Sequence, residues 1–105
     1  MKKAILLVLA TVLIMAYAVI AAAQGGDAEK GKAVYDAQKC KMCHSIAGVG
    51  NKKSPLDGVG GKLSEADIKK WVTEPKSMKA GTMMKAYKLS EADLNNLLAY
   101  MASLK

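Results

Sequence analysis

Phenylalanine and arginine are absent from this 105-residue chain, and tryptophan and histidine occur once each. Beyond Tyr17 only Tyr35, Tyr87 and Tyr100 add aromatic bulk. A chain of this length makes one domain, and its apolar core is marginal unless a staple, metal or cofactor completes it. With so few large side chains, something else has to fill the centre. A bound planar group would do so, and binding to the native state alone would stabilise folding. The missing arginine carries a second exclusion. The formal charge is +7, all of it from lysine. Bidentate recognition of phosphates and base edges favours arginine, so the basic balance does not indicate a nucleic-acid partner. A lysine surface suits loose electrostatic docking to acidic proteins.

Charge is also absent from residues 4–23. Met1-Lys2-Lys3 forms a short basic start, a long apolar run follows, and Ala21-Ala22-Ala23 precede Gln24. This is the pattern of a secretory signal peptide, residues 1–23, cleaved after Ala23. The run is also long enough to span a bilayer, so an uncleaved anchor is the competing reading. The small-residue end favours cleavage, since anchors tend to end in large interfacial residues. Both readings place the folded part outside the cytoplasm, and the first places it in the periplasm. Residues 24–26 are a short linker. The domain is expected over 27–105, with a charge of +5 once Lys2 and Lys3 are subtracted from +7.

No stretch alternates as a strand, and the domain reads as all-α. Asp27 is placed to cap a first helix running to about Cys40, with Val34, Tyr35 and Gln38 near one face. Gly31 lies inside that helix at a cost of about 1 kcal/mol against alanine, which asks for close approach by another helix. Lys-Leu-Ser-Glu-Ala-Asp occurs at 62–67 and again at 88–93. Ser64 and Ser90 are predicted N-caps, with the acids behind them at the positive end of each helix dipole. The middle helix shows Ile68, Trp71 and Val72 on one face and ends near Glu74, before Pro75. The last helix shows Leu94, Leu97, Leu98, Met101 and Leu104 at helical spacing. Residues 45–61 and 75–88, with their Gly, Pro and Met, read as two non-helical loops that need support from within the fold.

Cys40-Lys41-Met42-Cys43-His44 uses both cysteines and the only histidine. Two thiols three residues apart can add to the two vinyl groups of one haem, and the adjacent imidazole then reaches the iron. The alternatives are weaker. A Cys40–Cys43 disulfide of thioredoxin type lacks its βαβ surroundings, and a zinc site lacks a fourth Cys or His.

From Asp27 to Lys105 the chain resembles the class I c-type cytochromes. Besides the motif, Ser54-Pro55-Leu56-Asp57-Gly58-Val59 is similar to the family's Pro-Leu-x-Gly loop, and Trp71-Val72-x-x-Pro75 to its middle helix. Gly81-Thr82-Met83-Met84, with Tyr87 three residues on, is similar to its Gly-Thr-x-Met loop, although Lys85 stands where a Pro is usual. Gly31 with Tyr35, and Leu97 with Tyr100, resemble the contact between its crossing terminal helices.

The resemblance implies a small cytochrome c-like fold. Its terminal helices cross, and the middle helix and loops wrap one covalently attached haem c. Cys40 and Cys43 are implied as thioether residues and His44 as the proximal iron ligand. His44 would hold its other ring nitrogen on a loop carbonyl. Pro stands directly before Leu56 here, so that carbonyl is Ser54's or Pro55's. A thioether suits the sixth position of a carrier. Chemistry alone does not separate Met83 from Met84, and the match to Gly-Thr-x-Met selects Met84. Met101 belongs to the core stripe. Trp71 reads as a core residue, with donation to a haem propionate as the sharper alternative.

With both axial positions taken, the expectation is a carrier and not an enzyme. It would pass single electrons by outer-sphere transfer between redox proteins with acidic docking surfaces, and would act as a monomer. Lys39, Lys41, Lys79, Lys85 and Lys88 are the expected docking cations. Rival readings are a haem subunit of a larger exported or membrane-bound oxidoreductase, and a haem sensor or enzyme whose Met dissociates to admit a small ligand.

Overall fold

Asp27 starts the fold. In the computed structural model, which describes residues 25–105, its carboxylate accepts from the backbone N–H groups of Glu29 and Lys30 and caps α1, Ala28–Ala37. The expected leader, residues 1–23, and Gln24 of the expected linker lie outside the described residues. Ser64 and Ser90 cap in the same way, each accepting from the N–H three residues on, at 3.1 Å. The helices they open are the middle helix, Glu65–Thr73, and the last, Glu91–Ser103. Between and before them lie two short helices. Numbered in chain order, α2 is Val59–Lys62, α3 is Glu65–Thr73, α4 is Pro75–Met78 and α5 is Glu91–Ser103.

α1 and α5 cross at Gly31. A Cβ at this position would run into the Asn96 carbonyl and the Tyr100 side chain, so only glycine permits the approach. Beside the crossing, the Tyr35 and Tyr100 rings meet edge to face at 5.8 Å between centroids. The Asn96 side chain accepts from Asp27 N–H at 2.9 Å, which ties the start of α1 to α5. Val34, Tyr35, Ile68, Val72, Leu97, Leu98 and Met101 form the core. Leu94 and Leu104 pack against it, so the whole stripe expected on the last helix faces inward. Burying one such side chain is worth roughly 1.5–3 kcal/mol.

The structure corrects three expectations while keeping the all-α class. The first helix stops at Ala37, because Lys39 adopts a left-handed backbone (φ 57°) and a separate 3-10 turn follows at Cys40–Met42. The two stretches read as non-helical contain α2 and α4. Pro75 sits at the first position of α4, where its missing N–H costs nothing. α2 is held from outside, Gly60 N–H donating to the Leu104 carbonyl at 2.7 Å. Trp71 is half-buried and lies outside the core cluster, whereas Ile68 and Val72 of the same helix are buried in it. The only strands among the described residues are β1, Ser45–Ile46, and β2, Val49–Gly50, an antiparallel hairpin turned by Ala47 and Gly48, both at positive φ. No helix among the described residues is long and apolar enough to cross a membrane.

Candidate functional site

The 3-10 turn and the hairpin together make a rigid platform for the Cys40–His44 segment. The Cys40 carbonyl accepts from both Cys43 N–H (3.1 Å) and His44 N–H (3.0 Å), so the turn closes on its first residue. Asn51 N–H then donates to the carbonyls of Lys41 and His44, each at 3.0 Å. The Asn51 side chain donates to the Met42 carbonyl at 3.1 Å. Gly50, at φ 109°, runs against the His44 carbonyl where a Cβ would not fit. Cys40 is half-buried, Cys43 is exposed, and neither is in a disulfide. Burial pushes the Cys40 thiol above its ordinary value, and the nearby Lys85 ammonium opposes the rise.

His44 is half-buried, and its ring is held from one side. Nδ1 lies 3.1 Å from the Ser54 carbonyl and 3.0 Å from the Ser54 hydroxyl. Ser54, and not Pro55, therefore supplies the carbonyl that the sequence left between the two. The same carbonyl accepts from Ser45 N–H at 3.2 Å, and Leu56 N–H returns to the Ser45 carbonyl at 2.8 Å. Ser45 is the one buried polar side chain among the described residues. When Nδ1 carries the ring proton and donates to this carbonyl, Nε2 is the bare nitrogen available to a metal.

The loop between α4 and α5 carries the methionines. Thr82 N–H donates to the Lys79 carbonyl at 3.1 Å, and Met84 N–H donates to the Thr82 hydroxyl at 3.2 Å. This turn separates two adjacent thioethers: Met83 is 100% exposed, while Met84 is half-buried. Tyr87 N–H donates to the Val72 carbonyl at 2.9 Å and pins the loop to α3. Burial raises the Tyr87 hydroxyl above its ordinary value, and the thiol groups of Cys40 and Cys43 raise it further. Cys40 and Tyr87 both pack against the core cluster, so the methionine loop and the cysteine turn border the same core. Lys85 sits over the Tyr87 ring at 5.1 Å and forms part of the same rim.

These residues fit a haem. The two cysteines are not paired with each other, and the imidazole is oriented through Nδ1. A half-buried thioether lies on the loop that carries Tyr87, and no side chain among the described residues is completely buried, as suits a core completed by a large planar group. No three His, Cys, Asp or Glu side chains among the described residues converge to hold an ion by themselves. Sequence reasoning missed Asn51 and the hydroxyl of Ser54. An Asn beside Gly50 and a Ser before Pro read as ordinary turn residues, and only the folded loop shows what they hold.

The cytochrome c family model matches residues 28–105. Cytochrome c-550 of Nitrobacter winogradskyi is 34% identical over 100 residues, covering 73% of this chain and 90% of that protein. Cytochrome c oxidase subunit 2 of Alkalihalophilus pseudofirmus is 33% identical over 88 residues, covering 74% of this chain. The match takes in only 26% of that subunit's length.

Proposed function

The chain belongs to the cytochrome c family, and from that premise we propose that it is an exported monohaem electron carrier. It would pass single electrons between redox proteins by outer-sphere transfer. The observation that carries the reading is the Cys40–His44 turn, with both thiols unpaired and His44 Nδ1 engaged by Ser54. Haem, when bound, supplies an iron that moves between ferric and ferrous states by one electron. Cys40 and Cys43 would hold it covalently as thioethers, and His44 would offer Nε2 to the iron. Met84 would offer its thioether as the second protein ligand, supported by its half-buried position against the full exposure of Met83. With His44 and Met84 both holding the iron, no coordination site would be left for substrate. Trp71, half-buried outside the core, is free to donate its indole N–H to a propionate. Residues 1–23 act as the export signal, and the domain works in the periplasm as a monomer.

A second reading has its own support. Similarity to a segment of an oxidase subunit favours a haem domain that serves one fixed partner in a larger complex. Both readings share the covalent haem, and denaturing extraction with acid and organic solvent tests it. The haem should stay with the protein. Its release from the wild-type chain would remove the central claim. Intact mass of the protein from its native export route reports the number of haems and the state of the leader together. One haem on a chain beginning at Gln24 is expected, whereas retention of Lys2 and Lys3 in a membrane fraction would establish the anchor.

A further inference from the structure

Ser54 meets His44 with two atoms. The carbonyl would be present whatever residue stood at this position, but the hydroxyl would not. The hydroxyl lies 3.0 Å from Nδ1 and the carbonyl 3.1 Å. The carbonyl is also shared, because Ser45 N–H donates to it at 3.2 Å. A neutral imidazole carries one proton, so the tautomer decides what each partner does. If Nε2 bore the proton, Nδ1 would be an acceptor and the Ser54 hydroxyl would donate to it. That arrangement blocks Nε2 for iron. With Nε2 bare, the proton sits on Nδ1 and both oxygens of Ser54 accept it in a three-centre bond. The hydroxyl's own proton then turns to water, which the exposed position of Ser54 permits.

Resting on the His44 ligation proposed above, we propose that the Ser54 hydroxyl is a second acceptor for His44 Nδ1–H and sets the donor strength of the axial imidazole. It is a positioning residue, acting on the iron only through His44. Each acceptor on Nδ1–H leaves more negative charge on the ring and makes Nε2 more basic. A more basic ligand favours ferric over ferrous iron, so the hydroxyl lowers the reduction potential.

The test uses two holoprotein variants. Ser54→Ala removes the hydroxyl and keeps the carbonyl, and Ser54→Thr keeps both. In Ser54→Ala the equilibrium constant for reduction should rise about threefold, which a one-electron couple reads as about 28 mV at 59 mV per tenfold. Exchange of the His44 Nδ1 proton, followed by NMR in the reduced protein, should also quicken. Ser54→Thr should return both readouts toward wild type. A wild-type potential in Ser54→Ala would overturn the proposal. So would a Ser54→Thr variant displaced as far as Ser54→Ala, because the effect would then belong to the loop backbone. The absorption spectrum separates this from failure of the parent reading. An intact low-spin spectrum with an unmoved potential removes the role of Ser54 alone. A wild-type spectrum that survives His44→Ala removes the ligation and this proposal with it.

Discussion

Asn51 directs its polar groups into the attachment loop. Its N–H reaches two carbonyls, its amide donates to a third, and its side-chain oxygen accepts from Lys53 N–H at 3.0 Å. At the same scale, Met83 and Met84 are chemically identical, but Met83 is fully exposed while Met84, whose N–H donates to the Thr82 hydroxyl, is half-buried. Met84→Ala should therefore abolish the near-infrared sulfur-to-iron band of the oxidised protein and lower its potential, and Met83→Ala should keep both. The reverse outcome would move the ligand to Met83. Tyr35 makes a different prediction. Its hydroxyl is buried with no hydrogen-bond partner, and burial first, then Cys40, pushes it up to about 12 from an ordinary value of 10.0. Between those two values the unfolded chain gives up this proton while the folded one keeps it. The unfolded state then binds fewer protons, so stability falls as pH rises from about 10 to about 12, by about 1 kcal/mol per unit. As a thioether Cys40 would carry no charge, which would leave burial as the largest cause, with Tyr100, Asp36 and Asp57 adding to it. Tyr35→Phe should remove this slope and add about 1–2 kcal/mol at neutral pH, since an unsatisfied buried group disappears. Urea midpoints of the two proteins against pH check it. Parallel curves above pH 10 would show that another group governs alkaline unfolding.

Among the elements, those legible in the sequence are those whose causes are local. Asp27, Ser64 and Ser90 cap where their side chains can reach the next turn, and the apolar stripe of α5 follows from its own spacing. α2 was not legible, because Val59-Gly60-Gly61-Lys62 has poor helix propensity and is fixed by a hydrogen bond from Gly60 to Leu104. The hairpin was hidden for the same reason. Ala47 holds φ 51° while its N–H donates to Asp57, ten residues away, at 2.8 Å. The site divides in the same way. Cys40, Cys43 and His44 are contiguous and visible, whereas the Ser54 and Asn51 contacts exist only once the loop has returned. The α1–α5 crossing is the element on which all of this rests, and Gly31→Ala tests it. Alanine gains up to about 1 kcal/mol of helix propensity. Against this, overpacking costs about 1–3 kcal/mol, toward the upper end here because the obstacle is the Asn96 backbone. A net loss of about 2 kcal/mol in denaturant unfolding is expected, with the haem still attached. A neutral or stabilised variant would mean that the helices part freely.

For the molecule as a whole, charge placement matters more than charge total. Without Lys2 and Lys3 the formal +7 becomes +5, and two ionised propionates would bring the holoprotein to about +3. So small a monopole steers weakly, and attraction is screened beyond roughly 8 Å at physiological salt. A local cluster can still act at close range. Lys79, Lys85 and Lys88 are exposed around the Met84 loop, and Lys85 is near enough to Cys40 to influence its thiol. If these lysines form the docking rim, replacing all three with Glu should slow bimolecular transfer to an acidic acceptor and remove the usual fall of rate with ionic strength. The haem spectrum should not change, because exposed lysines contribute little to stability. That variant also shifts the net charge by about −6, so it needs a partner of equal charge change. Replacing Lys62, Lys69 and Lys70 with Glu, on α2 and α3 and exposed, supplies it. A rim that docks predicts a large loss for the first triple and a small one for the second, with the gap closing as salt is raised. Equal losses would show that net charge alone governs encounter. A first triple with the wild-type rate and salt slope would remove docking altogether and favour a haem domain held to one partner, where encounter does not limit the rate.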